Sequence, residues 1–128
     1  LPETTIADKI IKLRYTHNLR QEDLADLLNM HCSAIDGWEV HNVMPKPISI
    51  DKLCKLFNLP YNYFHEYYKI YFNNPGEKIK SWKIKNKLTY EKLSKLLGIT
   101  HSCVGRLLNN KINLSYNIYM ELKKLGAF

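Results

Sequence analysis

Leu19 to Trp38 reads LRQEDLADLLNMHCSAIDGW, and sixty-nine positions on, Leu88 to Leu107 reads LTYEKLSKLLGITHSCVGRL. In each stretch leucines recur at helical spacing, a short polar break follows, and a second apolar set resumes three and four residues apart. One fixed offset between two such stretches means two copies of a single supersecondary unit.

Outward from the first copy, Thr5 with Asp8 three residues on forms a capping-box pattern, and Ile6, Ile10 and Leu13 mark a first helix. Leu24, Leu27 and Leu28 are expected on the inner face of a second helix, Asn29-Met30-His31 as a turn, and Ile35 and Trp38 as the anchors of a third. Pro45 and Pro47 interrupt the pattern. A fourth helix is marked by Ile50, Leu53, Cys54 and Phe57, and a fifth, spanning Phe64 to Phe72, by Phe64, Tyr67, Tyr68 and Tyr71. Asn74 as N-cap, Pro75 as first helical residue and Glu77 as capping partner then restart the series. Ile79 and Trp82 stand where Ile10 and Leu13 stood, and Leu93, Leu96, Leu97, Val104 and Leu107 repeat Leu24, Leu27, Leu28, Ile35 and Trp38. A last helix after Ser115 carries Ile118, Met120, Leu122 and Leu125. The expectation is an all-α chain of two tandem helix-turn-helix modules joined by a helix: residues 1–66, a connector over 67–75, and a basic module over 76–128.

At 128 residues the chain has room for two modules of about 60 residues each, a size that just sustains a core. Charge divides the halves. Residues 1–70 hold eight Lys/Arg against nine Asp/Glu, and residues 71–128 hold eleven against three, so the net charges are −1 and +8. Lys78, Lys80, Lys83, Lys85, Lys87, Lys92 and Lys95 cluster on two consecutive helices, a pattern suited to a polyanion because neutralised phosphates release condensed counterions. Charge alone leaves a solvated lysine face equally open.

Several classes of function find no support. No apolar run approaches the roughly 18 residues of a membrane span. Cys32, Cys54 and Cys103 are odd in number and form no C-x-x-C pair, which points to a reducing, cytoplasmic setting. His17, His31, His41, His65 and His101 show no H-x-x-x-H spacing, and neither His31-Cys32 nor His101-x-Cys103 could close a tetrahedral metal site alone. With no glycine-rich phosphate loop, Gly-x-Ser-x-Gly or paired carboxylates, no enzyme activity and no cofactor are expected. The tyrosines Tyr61, Tyr63, Tyr67, Tyr68 and Tyr71 are read as core of the connector region rather than as a base-stacking platform.

Gln21-Glu22-Asp23-Leu24-Ala25, the Ser33-x-Ile35 pair and Trp38-Glu39, preceded by Arg14 and followed by Pro45, resemble the phage-repressor-like (Cro/C1, or XRE) helix-turn-helix family over residues 5–65. Residues 76–125 resemble it less closely: they keep Leu88, Thr89, Glu91, Leu93, Leu97, Gly98, Ile99, Ser102 and Val104 but have Tyr90 for Gln and Leu107-Leu108 for Trp-Glu. The resemblance implies double-stranded DNA as partner and a lambda-repressor-like fold for each half. It places Gln21 against the DNA backbone, His31 at the cap of the recognition helix, Cys32, Ser33 and Gly37 at base edges, and Asn42 beyond the helix end. In the second copy it implies Tyr90, Thr100, His101, Ser102 and Arg106 on the DNA side, with Asn109 and Lys111, beside Asn110, as the phosphate-gripping loop. It also implies an ion pair between Arg14 and Glu39, which Lys83 and Leu108 cannot repeat. Cys, Ser and Gly are poor base readers, whereas Arg106 has the fork that reads guanine, so the second copy carries the stronger claim.

The leading expectation is a sequence-specific DNA-binding regulator of a bacterium, phage or mobile element. Because the sequence begins at Leu1 rather than Met, a DNA-targeting segment of a larger nuclease or recombinase stays open. So does an adaptor whose near-neutral first module holds a protein partner or a second copy of the chain.

Overall fold

The computed structural model describes residues 1–128 as nine α-helices, one 3-10 turn and no strand. No helix is long and apolar enough to cross a membrane. The chain divides into two compact units, Leu1–Tyr68 and Lys69–Phe128.

The first unit contains α1 (Ile6–Thr16), α2 (Gln21–Leu27), α3 (Cys32–Val40), α4 (Pro47–Phe57) and a 3-10 turn at Tyr61–Tyr63, with α5 (Glu66–Tyr71) running across its boundary. Local chemistry sets each start. Thr5 Oγ1 accepts from Asp8 N while Asp8 returns a carboxylate to Thr5 N, and Asp23 Oδ2 accepts from Arg20 N at 2.8 Å. His31 Nδ1 accepts from Ser33 N at 3.1 Å, and Pro47 opens α4 where no N–H is needed. Asn18, Asn29, Asn42 and Asn58 adopt left-handed φ of 52–56° just past helix ends, a conformation asparagine tolerates better than most side chains.

Ile10, Leu24, Ile35, Ile50 and Leu53 are fully enclosed and are joined by Trp38, Cys54 and Tyr68. Each such aliphatic contributes about 1.5–3 kcal/mol relative to exposure. The buried Tyr68 hydroxyl donates to Pro45 O at 2.5 Å, so this large ring enters the core without stranding its polar end.

The second unit contains α6 (Pro75–Lys85), α7 (Tyr90–Leu97), α8 (His101–Leu108) and α9 (Tyr116–Lys124). Their first residues lie sixty-nine positions beyond those of α1, α2, α3 and α4. Buried Ile79, Leu93, Leu97, Val104, Leu107, Tyr119 and Leu122 stand at the positions of Ile10, Leu24, Leu28, Ile35, Trp38, Ile50 and Leu53. Lys87 and Gly98 repeat the left-handed turns of Asn18 and Asn29. The repeat slips once: α8 has eight residues against nine in α3, so Asn110 rather than Lys111 takes the left-handed turn that Asn42 makes.

Four expectations need correction. Leu27 and Leu96 face solvent, because α2 and α7 turn Leu24/Leu28 and Leu93/Leu97 inward; the first leucine of each doublet lies about 100° round the helix from the second. Leu125 is exposed and α9 buries Tyr119 and Leu122 instead. The helix expected from Phe64 to Phe72 shrinks to Glu66–Tyr71, since the 3-10 turn precedes it and the His65 ring accepts from Tyr67 N at 3.0 Å. Asn74 does precede α6 but makes no side-chain cap, and Glu77 leans on Lys80 instead of completing a box.

Candidate nucleic-acid interface

In the second unit the candidate residues gather around α8. Thr100 Oγ1 accepts from Cys103 N at 3.1 Å and closes one open donor of the helix start. The backbone N–H groups of His101 and Ser102 have no partner and point outward with the positive end of the helix dipole. His101, Ser102, Arg106 and Asn109 are exposed; Ser102, Arg106 and Asn109 share the arc opposite the buried Val104, Leu107 and Leu108, and His101 lies at its edge. The Arg106 guanidinium is held by no carboxylate or carbonyl of the chain, while its backbone carbonyl receives Lys111 N at 2.8 Å and so fixes Lys111 just past the helix.

Tyr90 opens α7 beside this arc. Its ring sits edge-on to His101 at 6.4 Å between centroids and receives the Lys83 ammonium at 4.7 Å from its centre. Nothing in the composition announces the Lys83–Tyr90 contact. The signal lies in the repeat: Lys83 and Tyr90 fall at the positions of Arg14 and Gln21.

The asparagines expected in a phosphate-gripping loop are engaged by partners within the chain, although both lie at the surface. Asn109 donates to Gly105 O at 3.0 Å and accepts from Lys80 at 3.5 Å. Asn110 Oδ1 accepts from Gly76 N at 3.0 Å, and its amide donates to Asn74 Oδ1. Of that loop Lys111 alone presents a free charge.

In the first unit the same positions are occupied differently. Arg14 Nε and Nη2 donate to the two oxygens of Glu39, both at 2.8 Å, and Arg14 Nη1 reaches Leu19 O at 3.0 Å. The hydrogen bonds to Glu39 raise the guanidinium above its ordinary pKa against the opposing effect of burial. Gln21 is turned into this pair, donating to Glu39 Oε1 at 3.2 Å, so the residue expected against DNA is committed in part to the fold. His31 and Ser33 satisfy each other, Nδ1 to Oγ at 2.9 Å. Cys32 is exposed, Gly37 half-buried, Asp36 lies 3.5 Å from His41, and Asn42 occupies its left-handed turn at the surface. The outer face of α3 therefore offers one carboxylate and no cation.

The cations separate the units further. Lys9 donates to Tyr63 O, Lys12 meets Glu3, Arg20 meets Glu22 and Asp23, Lys52 donates to Leu28 O and Lys55 meets Asp51. With Arg14 engaged as well, Lys46 alone is unpaired in the first unit. In the second, Lys69, Lys78, Lys85, Lys87, Lys92, Arg106 and Lys111 have no intramolecular partner. No three His, Cys, Asp or Glu side chains converge as a metal site would require.

Set against protein-family models, curated proteins and solved structures, the chain matches none of them.

Proposed function

We propose that this chain is a sequence-specific double-stranded DNA-binding protein, a transcriptional regulator built as two tandem phage-repressor-like helix-turn-helix modules. The second module makes the principal contact. In this reading α2–α3 and α7–α8 are the paired helices, and α8 is the one that enters the major groove. A helix of eight residues whose start is open to phosphate and whose outer arc carries Arg106 suits that task.

The observation that carries the reading is the contrast in free charge: the second unit holds seven unpartnered cations, six of them between Lys78 and Lys111, whereas nearly every cation of the first unit is already neutralised or bonded. Leaving like charges unpaired on one small unit is unfavourable without a polyanion to receive them. Phosphate contacts would supply affinity, and Arg106 with His101 and Ser102 would supply base readout. The first module, with Cys32, Ser33 and Gly37 on its outer arc, would orient the protein or follow groove shape.

Fluorescence anisotropy with a labelled random duplex, titrated across salt concentrations, tests the charge component. If all six cations meet phosphates, log affinity falls with log salt at a slope of about −5. Selection of bound sequences from a random duplex pool tests specificity. No binding at low salt, or an affinity indifferent to salt, overturns the proposal.

A further inference from the structure

Nine residues of the chain take a positive φ: six are asparagines, two are glycines, and the ninth is Lys87, at φ +53°. The repeat shows what else can stand there. In the turn after α1, Asn18 N reaches Tyr15 O at 3.1 Å and Leu19 N reaches Arg14 O at 2.9 Å. In the turn after α6, Lys87 N reaches Ile84 O at 3.1 Å and Leu88 N reaches Lys83 O at 3.0 Å, so one cap is closed by asparagine in the first unit and by lysine in the second. Those paired bonds hold the backbone left-handed whatever the side chain, and a lysine is less well tolerated there than asparagine or glycine.

The second unit gains nothing internal from the lysine. Its side chain is exposed and has no partner, and the nearest carboxylate in sequence, Glu91, pairs with Lys95 at 3.4 Å. A cation past a helix C-terminus does favour the dipole, but the last turn of α6 already holds Lys83 and Lys85, and a further positive charge beside them adds repulsion. Residues kept in sparsely populated backbone regions cluster where function holds them. This turn runs within three residues into Tyr90, whose ring carries the Lys83 ammonium at 4.7 Å and lies edge-on to His101 at the start of α8. The loop that follows α8 presents Lys111 alone as a free charge, so one loop does not complete the grip on a backbone.

We infer that the α6–α7 turn is a second phosphate-gripping element, in which the Lys87 ammonium meets a backbone phosphate beside the start of α7 and is kept there at a cost to the stability of the turn. This rests on the DNA reading above and adds to it a contact that the resemblance does not imply. A single charge carried by a fixed turn raises affinity and sets the orientation of the protein on the duplex without reading its sequence.

Three variants of the full chain, Lys87→Asn, Lys87→Gln and Lys87→Arg, test it by urea denaturation and by fluorescence anisotropy with a labelled random duplex across salt concentrations. Asparagine relieves the turn and removes the charge, glutamine removes the charge alone, and arginine keeps the charge. Lys87→Asn is expected to unfold at higher urea than Lys87→Gln. Both should bind with a log–log salt slope shallower by about one unit, so that a tenfold drop in salt strengthens their binding about eightfold less than it strengthens that of the wild type. Lys87→Arg should bind with the wild-type slope. If the wild type binds and Lys87→Asn and Lys87→Gln keep its slope, the inference is overturned and the DNA reading stands. A Lys87→Asn no more stable than Lys87→Gln also overturns it, since the turn would then bear no cost. A wild type that binds no duplex at low salt overturns both.

Discussion

Arg14 holds both carboxylate oxygens of Glu39, with the two side chains only 11% and 3% exposed, and the repeat has replaced the whole arrangement rather than one partner of it. Where the first unit has Arg14, Gln21 and Glu39, the second has Lys83, Tyr90 and Leu108. Leu108 is buried at 1% and has no use for a cation, so Lys83 turns to the Tyr90 ring. The first ties α1 to the end of α3, with Gln21 of α2 joining at Glu39, whereas the second ties α6 to the start of α7. One uses a buried ion pair with a planar fork, the other a cation over an aromatic face.

The energetic consequences differ in size. Glu39→Ala strands a buried guanidinium and should cost about 3–5 kcal/mol. Lys83→Ala removes a cation–π contact near the surface and should cost about 0.5–1 kcal/mol. Thermal melts followed by circular dichroism and by tryptophan fluorescence report both, since Trp38 lies in the first unit and Trp82 in the second. Equal losses for the two variants would show that the Arg14–Glu39 pair is no more than a surface contact.

Gly76 occupies the place of Ala7, yet the second unit cannot accept alanine there. A Cβ on Gly76 would lie 2.6 Å from Leu108 O and 2.7 Å from Asn110 Oδ1. The Asn110 side chain can swing away only by giving up its bonds to Gly76 N and Asn74, and the Leu108 carbonyl cannot swing at all. Gly76→Ala should therefore destabilise by about 1–3 kcal/mol, the range for overpacking. Gly98→Ala, at φ +67° with nothing nearby, should cost about 1–2 kcal/mol through backbone strain alone, and Gly98→Asn less, because Asn29 already makes that turn. Urea denaturation of the three variants ranks them; a neutral Gly76→Ala would mean that α6 and the end of α8 lie further apart than described.

How much of this was legible in the sequence depends on which neighbours decide each feature. Leu24/Leu93, Ile35/Val104 and Ile10/Ile79 follow from helical period, because a residue repeated at i+3 or i+4 among polar neighbours has only one face to go to. The leucine doublets are ambiguous by the same rule; in the fold Leu28 shares the buried face with Leu24 and Ala25, and Leu27 is left outside it. The short α5 was hidden because a run of aromatics is equally apolar in a 3-10 turn and in a helix. At the candidate interface the exposed arc of α8 could be read from spacing. The commitment of Asn109 to Lys80 and of Asn110 to Gly76 and Asn74 could not, since those partners lie up to 36 residues away.

Acid stability should depend visibly on Asp51. Its carboxylate accepts from Lys55 at 2.8 Å and from the Tyr61 hydroxyl at 2.6 Å, and these bonds, Lys55 first, hold its pKa below the ordinary value. A depressed carboxylate contributes stability that is present above its unfolded pKa of about 3.9 and is lost as pH falls through the lower folded value. Asp51→Asn should therefore be less stable than wild type at neutral pH, with the difference closing as the acid limb is descended. A constant difference from pH 7 to 2 would rule Asp51 out as a contributor to that limb.

The thiols should separate by accessibility. Cys54 is buried and its pKa is pushed up to about 11, by desolvation first and the Asp51 charge second, whereas Cys32 is exposed at the start of α3. Because the thiolate is the reacting species, an aromatic disulfide reagent at pH 8 should modify Cys32 rapidly and Cys54 only on unfolding. Mass spectrometry of partly labelled protein reads the order, and early labelling of Cys54 would contradict the enclosed core of the first unit.

Arg106 offers the sharpest test of the proposed function. It is exposed on the outer arc of α8, has no partner within the chain, and is the one residue of the α3 and α8 arcs with a guanidinium fork. Its counterpart, Gly37, carries no side chain to read a base with. A bidentate contact to guanine O6 and N7 discriminates by about 1–3 kcal/mol, so Arg106→Ala should relax preference at one base pair of a selected site while leaving preferences elsewhere intact. Lys111→Ala, removing a charge fixed at the end of the helix by its backbone bond to Arg106 O, should instead weaken every sequence alike and shallow the salt slope by about one unit. A base-substitution series read by anisotropy separates the two effects. If Arg106→Ala lowers affinity uniformly across that series, Arg106 grips phosphate and the source of specificity must be sought at Tyr90, His101 and Ser102.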